Sequence, residues 1–458
     1  MKADAPDSVL LATWRSGEAA VIGLARSGVA ACRLLRSIGV KVYASDVGVS
    51  PELEKAAADL KAEGCDVDLG GHDAVRIAYA QVVVVSPGVP PNALPLRMAL
   101  EQGRPVISEL DLGARFLRDC KLIVTTGTKG KSSTASMIAA MLMANGLGPG
   151  AVAGNIGAPL ADVARQPAHP KWLAVEASSF QLHDSPHLAP AVGVVTNLSA
   201  DHLDRYSSVE EYYADKALIF RNATADSRWV TNGDDLAVVA MTKGVTGTHE
   251  RFSLDVQQAD AWFDRTGGWL MLRGLPLMRR SDLKLLGDHN VTNALAAALA
   301  VPPDLCDRDR IAEALRSFRP LHHRLEPVRE LDGVLWVNDS KATTVSAAKS
   351  AVQSVGRPVV LLLGGRDKGG DFRELVPALG RARGVIAYGE AGTRIANELD
   401  EEVPVVKMGS DFGQVLSKAK ALAKSGDAVL LSPACSSFDM FTNAEQRGDK
   451  FSEWVQAL

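Results

Sequence analysis

The stretch that most constrains this chain is residues 121–146, KLIVTTGTKGKSSTASMIAAMLMANG, where a Val/Ile-containing run breaks at a glycine turn and resumes as an Ala/Met-rich helical segment. Gly127 and Gly130 let successive backbone N–H groups turn toward an anion. A helix starting just beyond them adds its unpaired N–H groups and its dipole. Lys131 can reach terminal phosphates, and the Ser132 hydroxyl can face magnesium, so this segment is expected to bind a nucleotide. A strict Walker pattern would carry glycine where Thr125 stands. Met137 and Met141, four apart, read as core packing of the helix.

Such a loop belongs at the carboxyl end of a strand in a parallel sheet, and the rest of the chain repeats that design. Apolar runs ending in Gly, Asn, Asp or Ser alternate with helix-like segments. AAVIGL runs into GLARSG and VAACRLLRSIG, with KVYASD and QVVVVSPGVP as further strands. After the phosphate loop come WLAVE and VGVVTN, and from about Arg319 onward VLWVNDS, PVVLLLGG, GVIAYGE and DAVLLSPA. The expected fold is α/β in three domains. These are a Rossmann-like domain over 1–118, a central P-loop ATPase-type domain over 119–320, and a second Rossmann-like domain over 321–458.

Composition narrows the class. A 458-residue chain that is 47% hydrophobic and 23% charged can bury several cores and shows no disordered tract. No basic leader and no uncharged apolar run long enough for a membrane helix is present, so a cytoplasmic protein is expected. Cys32, Cys65, Cys120, Cys306 and Cys435 are scattered, as reduced core residues are, without zinc or disulfide spacing. A net charge of −4 without a Lys/Arg cluster argues against nucleic acid as a partner. Nothing calls for a protein partner or a membrane, so a monomer acting on small molecules is expected.

Two further strands end in polar residues: WLAVE delivers Glu176, and VVTNLSADHLDRY delivers His202 just beyond another. Ligands of open parallel sheets gather at those ends. Singly, each residue reads as a cap or a hydrogen-bonded core group. Following a P-loop in order, a carboxylate and an imidazole near Ser132 could hold a second magnesium ion.

Nine ordered blocks make the chain resemble the Mur ligase superfamily: GTKGKSS, GNIGAPL, EASSFQL, ADHLDRY, GDHNVTNALAA, HHRLE, NDSKATT, LLLGG, and SPACSSFDMF with NAEQRG. The resemblance implies that Gly127, Thr128, Lys129, Gly130, Lys131, Ser132 and Ser133 cradle the ATP phosphates. Asn290, Asn293, His323 and Arg324 would contact adenine and phosphates, and Asp339 and Lys341 would be the third domain's contribution to ATP. Read alone, Lys216 is a solvated helix lysine. The resemblance instead makes it a lysine carbamylated by carbon dioxide, an anionic ligand for the second of two magnesium ions, with Ser132, Glu176 and His202 as the other metal ligands. It also assigns uridine diphosphate to Arg26, Ser27, Asp46, Ser86 and Gly88, where Ala25 replaces the second glycine of a dinucleotide fingerprint. Asn155 would touch the muramoyl group, and Thr343, Lys368 and Ser437 would hold glutamate. Lys129 stands where asparagine is usual, and Ala444 where some members carry an aromatic residue.

The implied reaction is ATP-dependent joining of D-glutamate to UDP-N-acetylmuramoyl-L-alanine, a peptidoglycan precursor, through an acyl phosphate. Lys131, His202, Lys216 and Lys341 would be the catalytic groups. The rivals are the same chemistry on L-glutamate or on a folylpolyglutamate-type substrate, a NAD(P)-dependent oxidoreductase using GLARSG and Asp46, and a non-catalytic nucleotide-binding subunit.

Overall fold

The computed structural model describes residues 8–203, 205–305 and 307–458; Cys306 lies outside the described residues. The chain forms two compact units, one running to Asp282 and including Thr292–Arg316, the other combining Leu283–Val291 with Ser317–Leu458.

The first unit contains two sheets. Its five-stranded sheet is parallel throughout, in the order Asp66–Leu69, Lys41–Asp46, Glu18–Ile22, Val82–Val85, Val106–Ser108. Alternate residues feed two cores: Ala19, Val21, Val82 and Val84 pack on one face, and Ala20, Ile22, Val83 and Val85 on the other. Burial on both faces explains why these strands read as unbroken apolar runs. Chain order reverses on either side of Glu18–Ile22, which opens a crevice at the strands' carboxyl ends.

The second sheet has nine strands. Val152–Gly154, Trp172–Glu176, Lys121–Thr126, Val192–Val195, Arg228–Asn232, Thr248–Ser253 and Ala261–Asp264 run parallel. An antiparallel extension, Trp269–Leu272 and Leu275–Arg279, completes the edge. The five strands from Arg228 onward are absent from the sequence reading. Stretches such as THERFS alternate in exposure or carry charge, so they lack the apolar run of a doubly covered strand.

The second unit holds a six-stranded sheet in the order Glu326–Leu331, Val334–Asn338, Ala428–Leu431, Val359–Gly364, Gly384–Tyr388, Val405–Lys407. It is parallel except for the edge strand Glu326–Leu331, whose charged sequence EPVREL hides it from an apolar scan. Leu361 and Leu363 enter one core, and Val360 and Leu362 the other. Met137 and Met141 are buried, and Cys32, Cys65, Cys120 and Cys435 are buried free thiols, as expected.

Candidate active site

The phosphate loop is fixed by its glycines. Lys121–Thr126 leads into it and the helix Lys131–Ala144 leaves it, with Gly130 as the N-terminal cap in the left-handed region. Gly127 has φ +136° and Gly130 φ +83°, conformations costly for any L side chain. A Cβ at Gly127 would stand 2.0 Å from Thr196 Oγ1, and one at Gly130 2.3 Å from Asn293 Oδ1. Space and backbone angle therefore both demand glycine.

The loop is pinned from the end of the neighbouring VGVVTN strand, by Thr196 and Asn197, to which the sequence reading gives no role. Asn197 O accepts from Thr128 N at 2.8 Å, and Asn197 Oδ1 accepts from Lys129 N at 2.9 Å. Thr196 Oγ1 donates to Lys129 O at 2.6 Å, as does Asn197 Nδ2 at 2.8 Å. The backbone of Lys129 is thus anchored while its side chain is exposed, which accommodates the departure from asparagine. Lys131 Nζ donates to Gly127 O and Thr128 O at 2.9 and 2.8 Å. Ser132 and Ser133 follow in the first helical turn, half-buried. Asn293 Oδ1 accepts from Thr134 Oγ1 of the same helix at 3.4 Å.

Lys216 overturns the solvated-lysine reading. The helix Val209–Ala217 starts from the Ser208 cap and turns Tyr212 and Lys216, four apart, inward together. Lys216 is 1% exposed, and its Nζ donates to Gly127 O at 2.8 Å. Burial, reinforced by the Lys131 charge, lowers its pKa to about 6. The ammonium is disfavoured there, and the neutral amine is a nucleophile.

Glu176 ends its strand fully buried. Asn155 Nδ2 donates to Glu176 Oε1 at 2.8 Å, while Oε2 is buried without a hydrogen-bond partner. An orphaned buried carboxylate oxygen within the electrostatic reach of Lys216 fits a hard, oxygen-preferring cation. Among the described residues no three His, Cys, Asp or Glu side chains converge on one point. His202 lies in a turn with φ +54°, its ring edge-on to Phe180 at 5.1 Å and 6.0 Å from Tyr212. The side chain is half-exposed.

At the crevice of the five-stranded sheet lies a cavity of about 690 Å³, lined by the five residues that the resemblance gives to uridine diphosphate, Arg26, Ser27, Asp46, Ser86 and Gly88, and also by Asn155, which it gives to the muramoyl group. Asp46 accepts from Leu24 N and Gly48 N at 2.7 and 2.8 Å, shaping the loop. Ser86 Oγ donates to Gly23 O at 2.8 Å, and Arg26 donates to Gly157 O. Asn155 thus borders the cavity and touches Glu176 of the phosphate-loop sheet.

The other candidates belong to the second unit. Asn290 Nδ2 donates to Leu286 O at 2.8 Å. His323, buried with φ +62°, meets Asn338 Nδ2 at 3.0 Å, while Arg324 is exposed. Asp339 accepts from Leu325 N at 3.0 Å and Ser432 Oγ at 2.8 Å, and burial raises its pKa to about 7. Lys341 pairs with Glu445, Lys368 Nζ lies 3.4 Å from Thr343 Oγ1, and Ser437 is buried. The sequence reading gave no role to Arg447. It is fully buried, and its guanidinium donates to Ser340 Oγ at 3.0 Å, Ser340 O at 2.9 Å and Cys435 O at 3.2 Å. It thereby ties NDSKATT to SPACSSFDMF. Ala444 contributes its carbonyl, which accepts from Ser340 Oγ at 2.7 Å.

A phosphate loop backed by a buried lysine and a strand-end glutamate, beside a Rossmann-like crevice, is the equipment of an ATP-using ligase, and the chain belongs to the Mur ligase family. Residues 17–108 match the MurD-like amino-terminal domain of Mur ligases, 125–301 the Mur ligase middle domain, and 323–435 the Mur ligase glutamate ligase domain. The chain is 37% identical to the UDP-N-acetylmuramoylalanine–D-glutamate ligase of Acidobacterium capsulatum over 95% of both chains. It is 39% identical to the enzyme of that name from Salinibacter ruber over 99% of both. In fold it resembles the UDP-N-acetylmuramate–alanine ligase MurC of Thermotoga maritima, with TM-score 0.61 and 19% identity over 96% of this chain and 99% of that one. It also resembles the MurF ligase of Thermotoga maritima solved with ADP, with TM-score 0.57 and 16% identity over 91% and 95% of the two chains. The oxidoreductase reading of GLARSG gives way to the match over 17–108.

Proposed function

We propose that this protein joins D-glutamate to UDP-N-acetylmuramoyl-L-alanine at the expense of ATP, in the synthesis of a peptidoglycan precursor. The observation that carries the reading is 37% and 39% sequence identity, over 95% and 99% of the chain, to ligases of that name. The phosphate loop, the buried lysine and the cavity support it.

The reaction runs in three steps. The γ-phosphoryl group passes to the alanyl carboxylate, the glutamate amine attacks the acyl phosphate, and phosphate leaves as the amide forms. Catalysis is chiefly positioning and charge neutralisation. The backbone N–H groups of the phosphate loop and Lys131 hold the phosphates, and Asn290, Asn293, His323, Arg324, Asp339 and Lys341 complete the nucleotide contacts. Arg26, Ser27, Asp46, Ser86 and Gly88 hold the uridine diphosphate, Asn155 the muramoyl group, and Thr343, Lys368 and Ser437 the glutamate. His202 orients or deprotonates the incoming amine.

Ser132, Glu176, His202 and Lys216 would hold two magnesium ions. When bound, magnesium neutralises charge developing on the transferred phosphoryl group. Lys216 serves there as a carbamate. A neutral buried amine adds carbon dioxide and releases a proton, which converts a poor ligand into an anionic oxygen ligand. The domains are 1–118 for the uridine substrate, 119–320 for ATP and 321–458 for the amino acid. The protein works as a cytoplasmic monomer, and no helix among the described residues is long and apolar enough to cross a membrane.

The test is phosphate release with ATP, magnesium and UDP-N-acetylmuramoyl-L-alanine, comparing D-glutamate, L-glutamate and neither. Release that requires D-glutamate and yields the ligated product is expected. Equal release with L-glutamate would overturn the substrate assignment, and none with either would overturn the reaction.

A further inference from the structure

Arg205 lies in the ADHLDRY segment but has no place in the chemistry derived above. Its guanidinium donates to two carbonyls of the cavity rim, Pro87 O and Val89 O, the latter at 2.8 Å. It also lies 3.9 Å over the centroid of the Phe180 ring. Both carbonyls belong to the Ser86–Pro90 loop lining the uridine-diphosphate cavity. Phe180 lies on the short helix Ser179–His183, which follows Glu176 and is held by a reciprocal capping box between Ser178 and Gln181. Its ring meets His202 edge-on and stacks on Tyr206 at 5.6 Å.

The backbone of Arg205 reinforces the link. Arg205 N and Tyr206 N both donate to His202 O, at 2.9 and 3.1 Å, closing the turn that holds His202 at positive φ. The side chain that grips the pocket rim therefore grows from the turn that sets the His202 backbone. A planar guanidinium can serve two carbonyls while lying flat on a ring, which a lysine ammonium cannot.

We propose that Arg205 is a positioning residue for ligation: by clamping the Ser86–Pro90 rim it couples filling of the uridine-diphosphate cavity to the alignment of the turn carrying His202. Binding energy from the nucleotide half of the substrate, remote from the reacting carboxylate, is then spent on catalysis as well as on affinity. The inference rests on the ligase reading given above.

The experiment compares UDP-N-acetylmuramoyl-L-alanine with the truncated substrate N-acetylmuramoyl-L-alanine 1-phosphate, in the full-length protein and in Arg205→Ala. Removing the uridine half raises KM in both proteins. In the unaltered protein it should also lower kcat by about tenfold or more, because the turn loses its alignment. Arg205→Ala should have a kcat with the full substrate about tenfold below that of the unaltered protein, and truncation should change its kcat by less than about twofold. A truncation penalty on kcat as large in the variant as in the unaltered protein would overturn the inference, and so would a penalty confined to KM in the unaltered protein. If Arg205→Ala does not fold, Arg205→Lys carries the test under the same criterion. Absence of turnover by the unaltered protein with the full substrate sinks the ligase reading itself, and the inference with it.

Discussion

Lys216 Nζ and the Gly127 carbonyl oxygen are 2.8 Å apart, so the buried lysine is tied directly to the phosphate loop. Proximity to Lys131 adds like-charge repulsion to burial, and both favour the neutral amine. With a folded pKa of about 6, that amine predominates at neutral pH and is open to carbon dioxide. Protein kept in buffer stripped of carbon dioxide should lose most of its ligase activity and regain it on adding bicarbonate. Carbon-13 bicarbonate should give a carbamate resonance that is missing from Lys216→Arg. Full activity without carbon dioxide would exclude the carbamate.

Gly127→Ala should weaken nucleotide binding. Its Cβ would overlap Thr196 Oγ1, which itself holds Lys129 O, and φ +136° is strained for alanine. The strain costs about 1–3 kcal/mol before the overlap is counted. Binding of a fluorescent ATP analogue should fall at least about tenfold, the equivalent of about 1.4 kcal/mol, while UDP still binds. Loss of both would point to global unfolding instead.

Glu109 makes stability depend on pH. This carboxyl is 1% exposed, accepts from Ala161 N at 2.6 Å through Oε1, and has an orphaned Oε2. Burial raises its pKa to about 7 from a usual value of 4.5. The folded state therefore binds more protons than the unfolded state between those values. The stabilisation is complete below pH 4.5 and is lost as pH rises through about 7. Glu109→Gln stays neutral, and its side-chain carbonyl can still accept from Ala161. Relative to this variant, the unaltered protein should lose up to about 3 kcal/mol between pH 5 and pH 8, read from denaturant unfolding at each pH. Parallel pH profiles for the two proteins would count against the assignment.

Arg447→Lys should destabilise the second unit despite keeping the charge. A lysine can satisfy only part of the set of acceptors on Ser340 and Cys435 that the guanidinium reaches, and its ammonium would be fully buried. A loss of about 3 kcal/mol or more is expected, seen as a lower melting temperature and faster proteolysis within 317–458. An unchanged melting temperature would mean that the arginine is dispensable to the fold.

His202→Ala should lower kcat, since the ring stands beside Phe180 and Tyr212 beyond the end of the strand next to the phosphate loop and is proposed both to orient the amine and to help hold magnesium. Unchanged turnover would remove the histidine from the amine step.

Much of this molecule is legible one residue at a time. Buried parallel strands must be apolar along their whole length, so KLIVTT, WLAVE and VVLLLG declare themselves, and a phosphate loop needs glycine where the backbone turns left-handed. Strands that are charged or alternately exposed, such as THERFS and EPVREL, carry no such mark and were missed. The site divides in the same way. Gly127 and Lys131 follow from a local motif, and the cavity residues from the resemblance to a family. The burial of Lys216, the orphaned oxygen of Glu176, the grip of Asn197 on Lys129 and the reach of Arg205 to Pro87 join residues 21 to 118 positions apart, or depend on what packs around them. Local sequence sets backbone preference and hydrophobic period. Whether a lysine is solvated or desolvated, and which carbonyl an arginine reaches, is settled by the packing of distant segments, because electrostatic free energy depends on surroundings that only the tertiary structure assembles.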